Sequence, residues 1–314
     1  IRLPQGGCDP IVSIAAEITV EPDPIISIHP TPSQIICEGG TVNQLDVDYQ
    51  IGTGTGTDSY QWYSNASNSN QGGTIIAGET SNNYTPNTST LSTGSYYYYC
   101  IVTLSGNGCD PATSDVAVID IVNDPTVSNP LPAFQEKCEG GPVADISVNA
   151  SGGVGTIYSY QWYSNASNSN QGGTIATGPG NQTDTYSPQN TIIGTLYYYC
   201  VITQTASGCE NRSLTAEVKI TQGPSFVDEP IGTTVCLGAT ITALEVTYQD
   251  GVGQEYYQWY QNTINDTTSG SIIPGENTWQ YLPPTTTVGT MYYYCQIRLP
   301  QGGCDPIVSI AAEI

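Results

Sequence analysis

One phrase recurs three times in this 314-residue chain and limits what the chain can become. Gln61-Trp62-Tyr63 is followed by a tyrosine run ending at Cys100 and a Gly-rich turn ending at Cys109. The phrase returns as Gln161-Trp162-Tyr163 with Cys200 and Cys209, and as Gln258-Trp259-Tyr260 with Cys295 and Cys304. Its two cysteines are nine residues apart each time. A further cysteine opens each copy in a Cys-x-Gly turn, at Cys37, Cys138 and Cys236. A motif recurring at about one domain's length marks consecutive copies of one folding unit, and this periodicity outranks local signals.

A second repetition lies over the first. Residues 1–18 are identical to residues 297–314, and residues 59–75 to residues 159–175. The simplest reading is a window on a longer array with a super-repeat of 296 residues. The expected division is residues 1–18 as the final strands of a preceding repeat, then repeats at 19–121, 122–222 and 223–314. Proline-rich stretches separate them, around Pro22 and Pro24, Pro125 to Pro132, and Pro224 to Pro230. Proline pre-sets an extended backbone, so these read as short, stiff connectors.

Within a unit the apolar period is two. Leu45, Val47 and Tyr49 alternate with Asp46 and Asp48, and Tyr60 and Trp62 share one strand face while Gln61 and Tyr63 share the other. Pro30 and Pro32 split the first strand into two pieces. No segment carries a capped 3.6-residue apolar period. About seven short strands with frequent turns predict a β-sandwich.

Composition narrows the partners. Net charge is −23 with five basic residues, which opposes binding to nucleic acid or an anionic membrane surface. No apolar run is long enough to span a bilayer, so no membrane insertion is expected in this segment. Ten cysteines at recurring positions argue for disulfides and an oxidising, extracellular or cell-surface setting. Zinc binding would need Cys-x-x-Cys pairs or histidines, and the single histidine is His29.

Three sets of residues carry a resemblance: Trp62 with Tyr98 and Cys100, Trp162 with Tyr198 and Cys200, and Trp259 with Tyr293 and Cys295. They resemble the immunoglobulin-like fold, where a tryptophan on the third strand fills the core and a tyrosine two residues before a cysteine on the sixth forms a "tyrosine corner". The resemblance implies an all-β chain of tandem immunoglobulin-like β-sandwich domains in an extended array. The Cys-x-Gly, Gln-Trp-Tyr, Tyr-Tyr and Gly-Cys pattern is more closely similar to the immunoglobulin-like or PKD-like repeats of large Bacteroidetes surface proteins, gliding-motility-type adhesins and type IX secretion cargo.

Three cysteines per unit cannot all pair internally. In an immunoglobulin-like unit the Cys37 turn lies at one end, Cys100 partway along strand six and Cys109 at the other end. A Cys37–Cys109 bond would span about 30 Å, far beyond disulfide reach. The leading expectation is Cys37–Cys100, with its counterparts Cys138–Cys200 and Cys236–Cys295. The alternative is a staple between units, Cys37 to Cys209 and Cys138 to Cys304. A third reading leaves one buried free thiol per unit.

Tyr63, Tyr97 and Tyr99 should point outward on one sheet, as should Tyr163, Tyr197 and Tyr199, and Tyr260, Tyr292 and Tyr294. Such a patch could stack on sugars or pack against a neighbouring filament, or the tyrosines could simply form cross-strand pairs. Acidic residues in the connectors, including Asp23, Asp120, Asp228 and Glu229, could hold calcium between domains, although no Asp-x-Asp-x-Asp-Gly loop is present. No cofactor is otherwise expected. Matches to the glycosylation sequon, such as Asn65-Ala66-Ser67, are expected by chance in so Asn-rich a chain. No catalytic motif recurs, so no enzyme is expected. The expected role is structural or adhesive, in a surface filament or stalk whose partners are copies of itself or neighbouring repeats. The competing role is a module that binds surface polysaccharide, alone or appended to a secreted enzyme.

Overall fold

The alternating pattern folds as two-layered β-structure. The computed structural model describes residues 9–50, 57–106 and 108–314. The chain forms two compact units, Ile1–Asn123 and Asp124–Ile314.

The first unit holds one sandwich of ten strands: β1 Ile25–Ile28, β2 Ser33–Cys37, β3 Leu45–Asp46, β4 Asp48–Gln50, β5 Thr57–Asn65, β6 Thr74–Ile75, β7 Asn83–Tyr84, β8 Gly94–Ser105, β9 Ala112–Thr113 and β10 Ala117–Val122. One sheet runs β2-β10-β8-β5-β6, with β9 alongside β8. Strands β1 and β4 pair, as do β3 and β7, and they form the facing layer. Strand β2 runs parallel to β10, whereas the other pairs are antiparallel. The prolines before and within the β1–β2 segment move the chain from one layer to the other, which is the split first strand the sequence implies. This strand order is that of an immunoglobulin-like sandwich.

Each buried side is the one the period-two pattern selects. Leu45, Val47, Trp62, Cys100, Val102, Ala117 and Ile119 are almost fully buried in a single core. Trp62 donates its indole N–H to the Ser81 carbonyl at 2.9 Å, so its polar atom is satisfied in an otherwise apolar core. The counterparts Trp162 and Trp259 donate to the Thr183 and Thr278 carbonyls.

The second unit contains two further sandwiches. In one, Phe134–Cys138, Ala216–Thr221, Gly194–Gln204, Tyr158–Asn165 and Thr174–Ile175 repeat the β2-β10-β8-β5-β6 order. In the other, Tyr256–Asn262 pairs with Tyr292–Arg298 in a five-stranded sheet. The segment aligned with β2, around Thr233 to Cys236, forms no strand there, although the Thr233 N–H donates to the Glu313 carbonyl at 2.8 Å.

Residues 1–8 lie outside the described residues, and residues 9–24 form no strand, with Ile11, Ile14 and Ile18 exposed. Their identical copy does form strands, Ile307–Val308 and Ala312–Glu313, both paired with Tyr292–Arg298. The same residues become β-structure only where that partner strand supplies the ladder.

Candidate functional site

The Gln-Trp-Tyr phrase assigns one task to each residue. The Gln61 side chain donates from its amide to the Trp62 and Ile76 carbonyls at 3.0 and 2.9 Å. It therefore ties strand β5 to the segment after β6. Gln258 does the same to Trp259 and Ile273. Trp62 fills the core beside Tyr84, with ring centroids 5.7 Å apart, and Tyr84 in turn packs on Tyr98. Tyr186 and Tyr281 complete the same aromatic trio in the other sandwiches. Tyr63 stacks on Tyr99 across the strands at 5.1 Å, and Tyr260 on Tyr294 at 5.1 Å.

These stacks correct the expected tyrosine patch. Tyr99, Tyr199 and Tyr294 do lie on the outer face of their sheets, yet each is only 2 to 3% exposed. The loop after Asn65 folds down over Tyr99. Asn65 donates to the Ser69 and Gln71 carbonyls, Asn70 donates to the Ser114 carbonyl, and Gly73 donates its N–H to the Tyr99 hydroxyl at 3.0 Å. A Cβ on Gly73 would meet the Tyr99 ring at 2.9 Å. The Asn/Ser-rich loop is thus a lid on a tyrosine. Gly173 and Gly270 make the same bond to Tyr199 and Tyr294. Tyr63, Tyr97, Tyr163, Tyr197, Tyr260 and Tyr292 stay half-buried, and Tyr292 donates to Glu313.

The cysteines divide into two kinds. Cys100, Cys200 and Cys295 are free, fully buried, and directly opposite Trp62, Trp162 and Trp259 in the strand register. The backbone N–H of each donates at 2.9 Å to a buried serine hydroxyl, from Ser114, Ser213 and Ser309. Burial pushes all three thiols up to about 12 from an ordinary 9.0. Burial likewise pushes Tyr98 up to about 12, with smaller contributions from Tyr84 and Tyr96. These buried serines and Tyr84, Tyr186 and Tyr281 carry no distinctive sequence signal beyond their recurrence.

The leading expectation for the disulfides therefore fails in the second unit. Cys138 is bonded to Cys304, with Cα atoms 5.0 Å apart, and Cys200 stays a thiol. The register supplies the reason. Cys138 lies level with Thr221 on the neighbouring strand, whereas Tyr198 lies level with Ala216 and Cys200 falls two positions further on. Seven residues of strand separate the two cysteines, about 23 Å at 3.3 Å per residue, and a disulfide tolerates less than about 7 Å. In the first unit the same register keeps Cys37, level with Val122, away from Cys100. The third sandwich likewise leaves Cys236 and Cys295 as free thiols, Cys236 exposed and Cys295 buried.

The Cys138–Cys304 bond joins two sandwiches, and the motifs flanking it are built for the contact. Gly140 and Gly303 hold positive φ, 77° and 67°, which side chains resist. A Cβ on Gly141 would sit 2.8 Å from the Gly303 carbonyl oxygen, and one on Gly303 would collide with Pro142. Lys137 donates to the Gln301 carbonyl at 2.7 Å. Cys138 is 1% exposed and belongs to the third sandwich's core cluster, which also includes Leu299 and Trp259. The Cys-Glu-Gly-Gly turn of one sandwich and the Gly-Gly-Cys tip of the next thus form a single glycine-lined, covalently closed junction.

The connector carboxylates are engaged locally. Asp23 accepts from the Asp110 N–H, Asp120 from Ser95, Asp228 from Thr247 and Glu229 from the Ile310 N–H. His29 accepts from the Asp115 N–H. No helix among the described residues is long and apolar enough to cross a membrane.

Fold and junction together define a tandem immunoglobulin-like β-sandwich protein. Residues 28–123 match the family model "Domain of unknown function (DUF8696)". No curated protein matches the chain. Among solved structures, the chain is similar to the Sidekick-1 immunoglobulin domains 1–5, at 18% identity and TM-score 0.35, covering 94% of this chain and 59% of that one. The chain thus spans under two thirds of the length of Sidekick-1 domains 1–5. It is also similar to Drosophila OTK extracellular domains 3–5, at 14% identity and TM-score 0.34, covering 93% and 96%. The three N-terminal domains of the bacteriophage RB49 Highly Immunogenic Outer Capsid protein match at 12% identity and TM-score 0.39, covering 93% and 96%.

Proposed function

We propose that this chain is a load-bearing segment of an extracellular repeat array, a surface filament or adhesin stalk of the Bacteroidetes gliding-motility-adhesin type. The observation that carries the reading is the Cys138–Cys304 bond, which ties one sandwich to the next. A bond inside a sandwich strengthens that sandwich alone. A bond across a junction instead fixes how consecutive sandwiches transmit tension. By the recurrence of the cysteine and tryptophan motifs the repeats divide at residues 19–121, 122–222 and 223–314. In this reading the partners are neighbouring repeats and copies of the chain, and the setting is oxidising.

Pulling single molecules from their ends tests the role. In oxidising buffer the contour length released should fall short of the full chain, because residues held between bonded cysteines cannot extend; reductant should release the missing length. Equal lengths with and without reductant would remove the mechanical reading. The competing module that binds surface polysaccharide has less support, since the loop over Tyr99 and its counterparts covers the centre of each tyrosine patch. Retention of the chain on a polysaccharide column, lost on replacing Tyr63 and Tyr97 by Ser, would favour that module instead.

A further inference from the structure

We infer that Cys295 is a buried nucleophile able to open the junction from within: when the strand over it lifts, its thiol attacks Cys304, forms a Cys295–Cys304 disulfide and frees Cys138. The observation that carries this is the meeting of three cysteines in one core. Cys138, Cys295 and Cys304 all belong to the buried cluster of the third sandwich; Cys138 and Cys304 are bonded, and Cys295 is free. Cys295 lies nine residues along the chain from one sulfur of that bond. A free thiol tethered so closely to a disulfide is its natural exchange partner.

The fold keeps the reactants apart. The Cys295 N–H donates to the Ser309 hydroxyl at 2.9 Å, and the Ser309 N–H donates to the Cys295 carbonyl at 2.9 Å, so Ser309 lies level with Cys295. Cys304 is five residues from Ser309, about 16 Å of extended chain, against a disulfide reach of about 7 Å. Burial also holds the Cys295 thiol in its neutral, unreactive form. The gate is small, since Ile307–Val308 is a two-residue strand level with Ile297 and Gln296. Once it and Ser309 lift, the six residues after Arg298 that end at Cys304 span up to about 20 Å, and Cys295 lies only about 10 Å back along its own strand. Solvent then returns the thiol to its ordinary acidity.

The chemistry balances without an oxidant or a reductant. The Cys295 thiol gives its proton to water, and the thiolate attacks the Cys304 sulfur. The Cys295–Cys304 bond forms as the Cys138–Cys304 bond breaks, and Cys138 leaves as a thiolate that takes up a proton. One disulfide and one thiol stand on each side. Cys304 is the sulfur attacked because it shares the opened segment; attack on Cys138 would leave the two sandwiches joined.

The inference rests on the bonded junction and not on the stalk reading. A Cys295→Ala chain cannot exchange in this way, so contour lengths measured on it test the stalk alone. The exchange is tested by following Cys138 in a Cys8→Ser, Cys109→Ser, Cys236→Ser background, which removes three competing cysteines. Samples at pH 8 without reductant, in native buffer and in urea at the third sandwich's midpoint, are alkylated over time and mapped. In native buffer Cys138–Cys304 should persist. In urea Cys138 should become alkylated as a Cys295–Cys304 link appears, at a rate independent of protein concentration. Cys295→Ala should slow the release about tenfold or more, whereas Cys200→Ala, which also removes a core thiol, should leave it unchanged. Ser309→Ala deprives the Cys295 N–H of its acceptor and should speed the release roughly tenfold at the same urea. Release in native buffer, a Cys138 that stays bonded in urea, a Cys138–Cys295 link, equal rates with and without Cys295, or an unchanged rate in Ser309→Ala overturns the inference.

Discussion

At the scale of the residue, each sandwich is organised by a polar atom buried with its partner. The tryptophan N–H, the glutamine amide and the serine hydroxyl each meet a backbone group, so polarity in the core costs little and fixes geometry. The free thiols are the opposite case, since burial outweighs the one backbone hydrogen bond that favours the charged form of each. Below pH 9.0 these thiols are neutral in both states and their burial is harmless. Between 9.0 and about 12 the unfolded chain loses those protons while the folded one keeps them, so stability falls as pH rises. Each thiol contributes about 1.4 kcal/mol per pH unit in that window, and Tyr98 adds to the same trend. The urea midpoint, followed by tryptophan fluorescence, should therefore drop steeply through this range. Replacing Cys100, Cys200 and Cys295 by Ala should flatten the slope, whereas an unchanged slope would place the titration elsewhere.

At the scale of the element, the ladder partner outweighs the sequence of the strand. Residues 9–18 and 305–314 are identical, yet only the second set pairs with Tyr292–Arg298. Hydrogen exchange should separate the two. Amides of Ile307, Val308 and Ala312 should be protected, while their copies at Ile11, Val12 and Ala16 should exchange rapidly. Proteolytic fragments extending to Thr19 and Val20 identify the first copy by mass. Equal protection would mean that the segment carries its own strand structure. The same dependence explains what was legible beforehand. The split first strand, the alternating core and the tryptophan strand follow from proline placement and period-two patterning. The lid over Tyr99 does not, because a run such as Asn65 to Gly73 shows only that it is a loop. Its direction depends on Asn70 reaching Ser114, 44 residues away. Tyr84, Tyr186 and Tyr281 were hidden for a related reason, since each sits in a two-residue strand too short to show a period.

At the scale of the whole molecule, the decisive contacts join repeats, and there the cysteine count allowed several pairings that only strand register could separate. Cys138 and Cys200 are too far apart along their sheet, whereas Cys304 arrives on the tip of the next sandwich, against two glycines that leave room for it. The bond spans 166 residues, which in the chain-entropy model constrains the unfolded chain by about 5 kcal/mol. The bond holds the third sandwich, whose tip carries Cys304, to the second. Calorimetry of a Cys138→Ser, Cys304→Ser variant should show that sandwich melting earlier and separately from the second, where the bonded protein melts them together. Reductant added to the parent chain should reproduce the split, since the core thiols are already free. A variant that melts as the parent does would mean that the glycine-lined packing, together with the Lys137–Gln301 hydrogen bond, holds the junction without its covalent link.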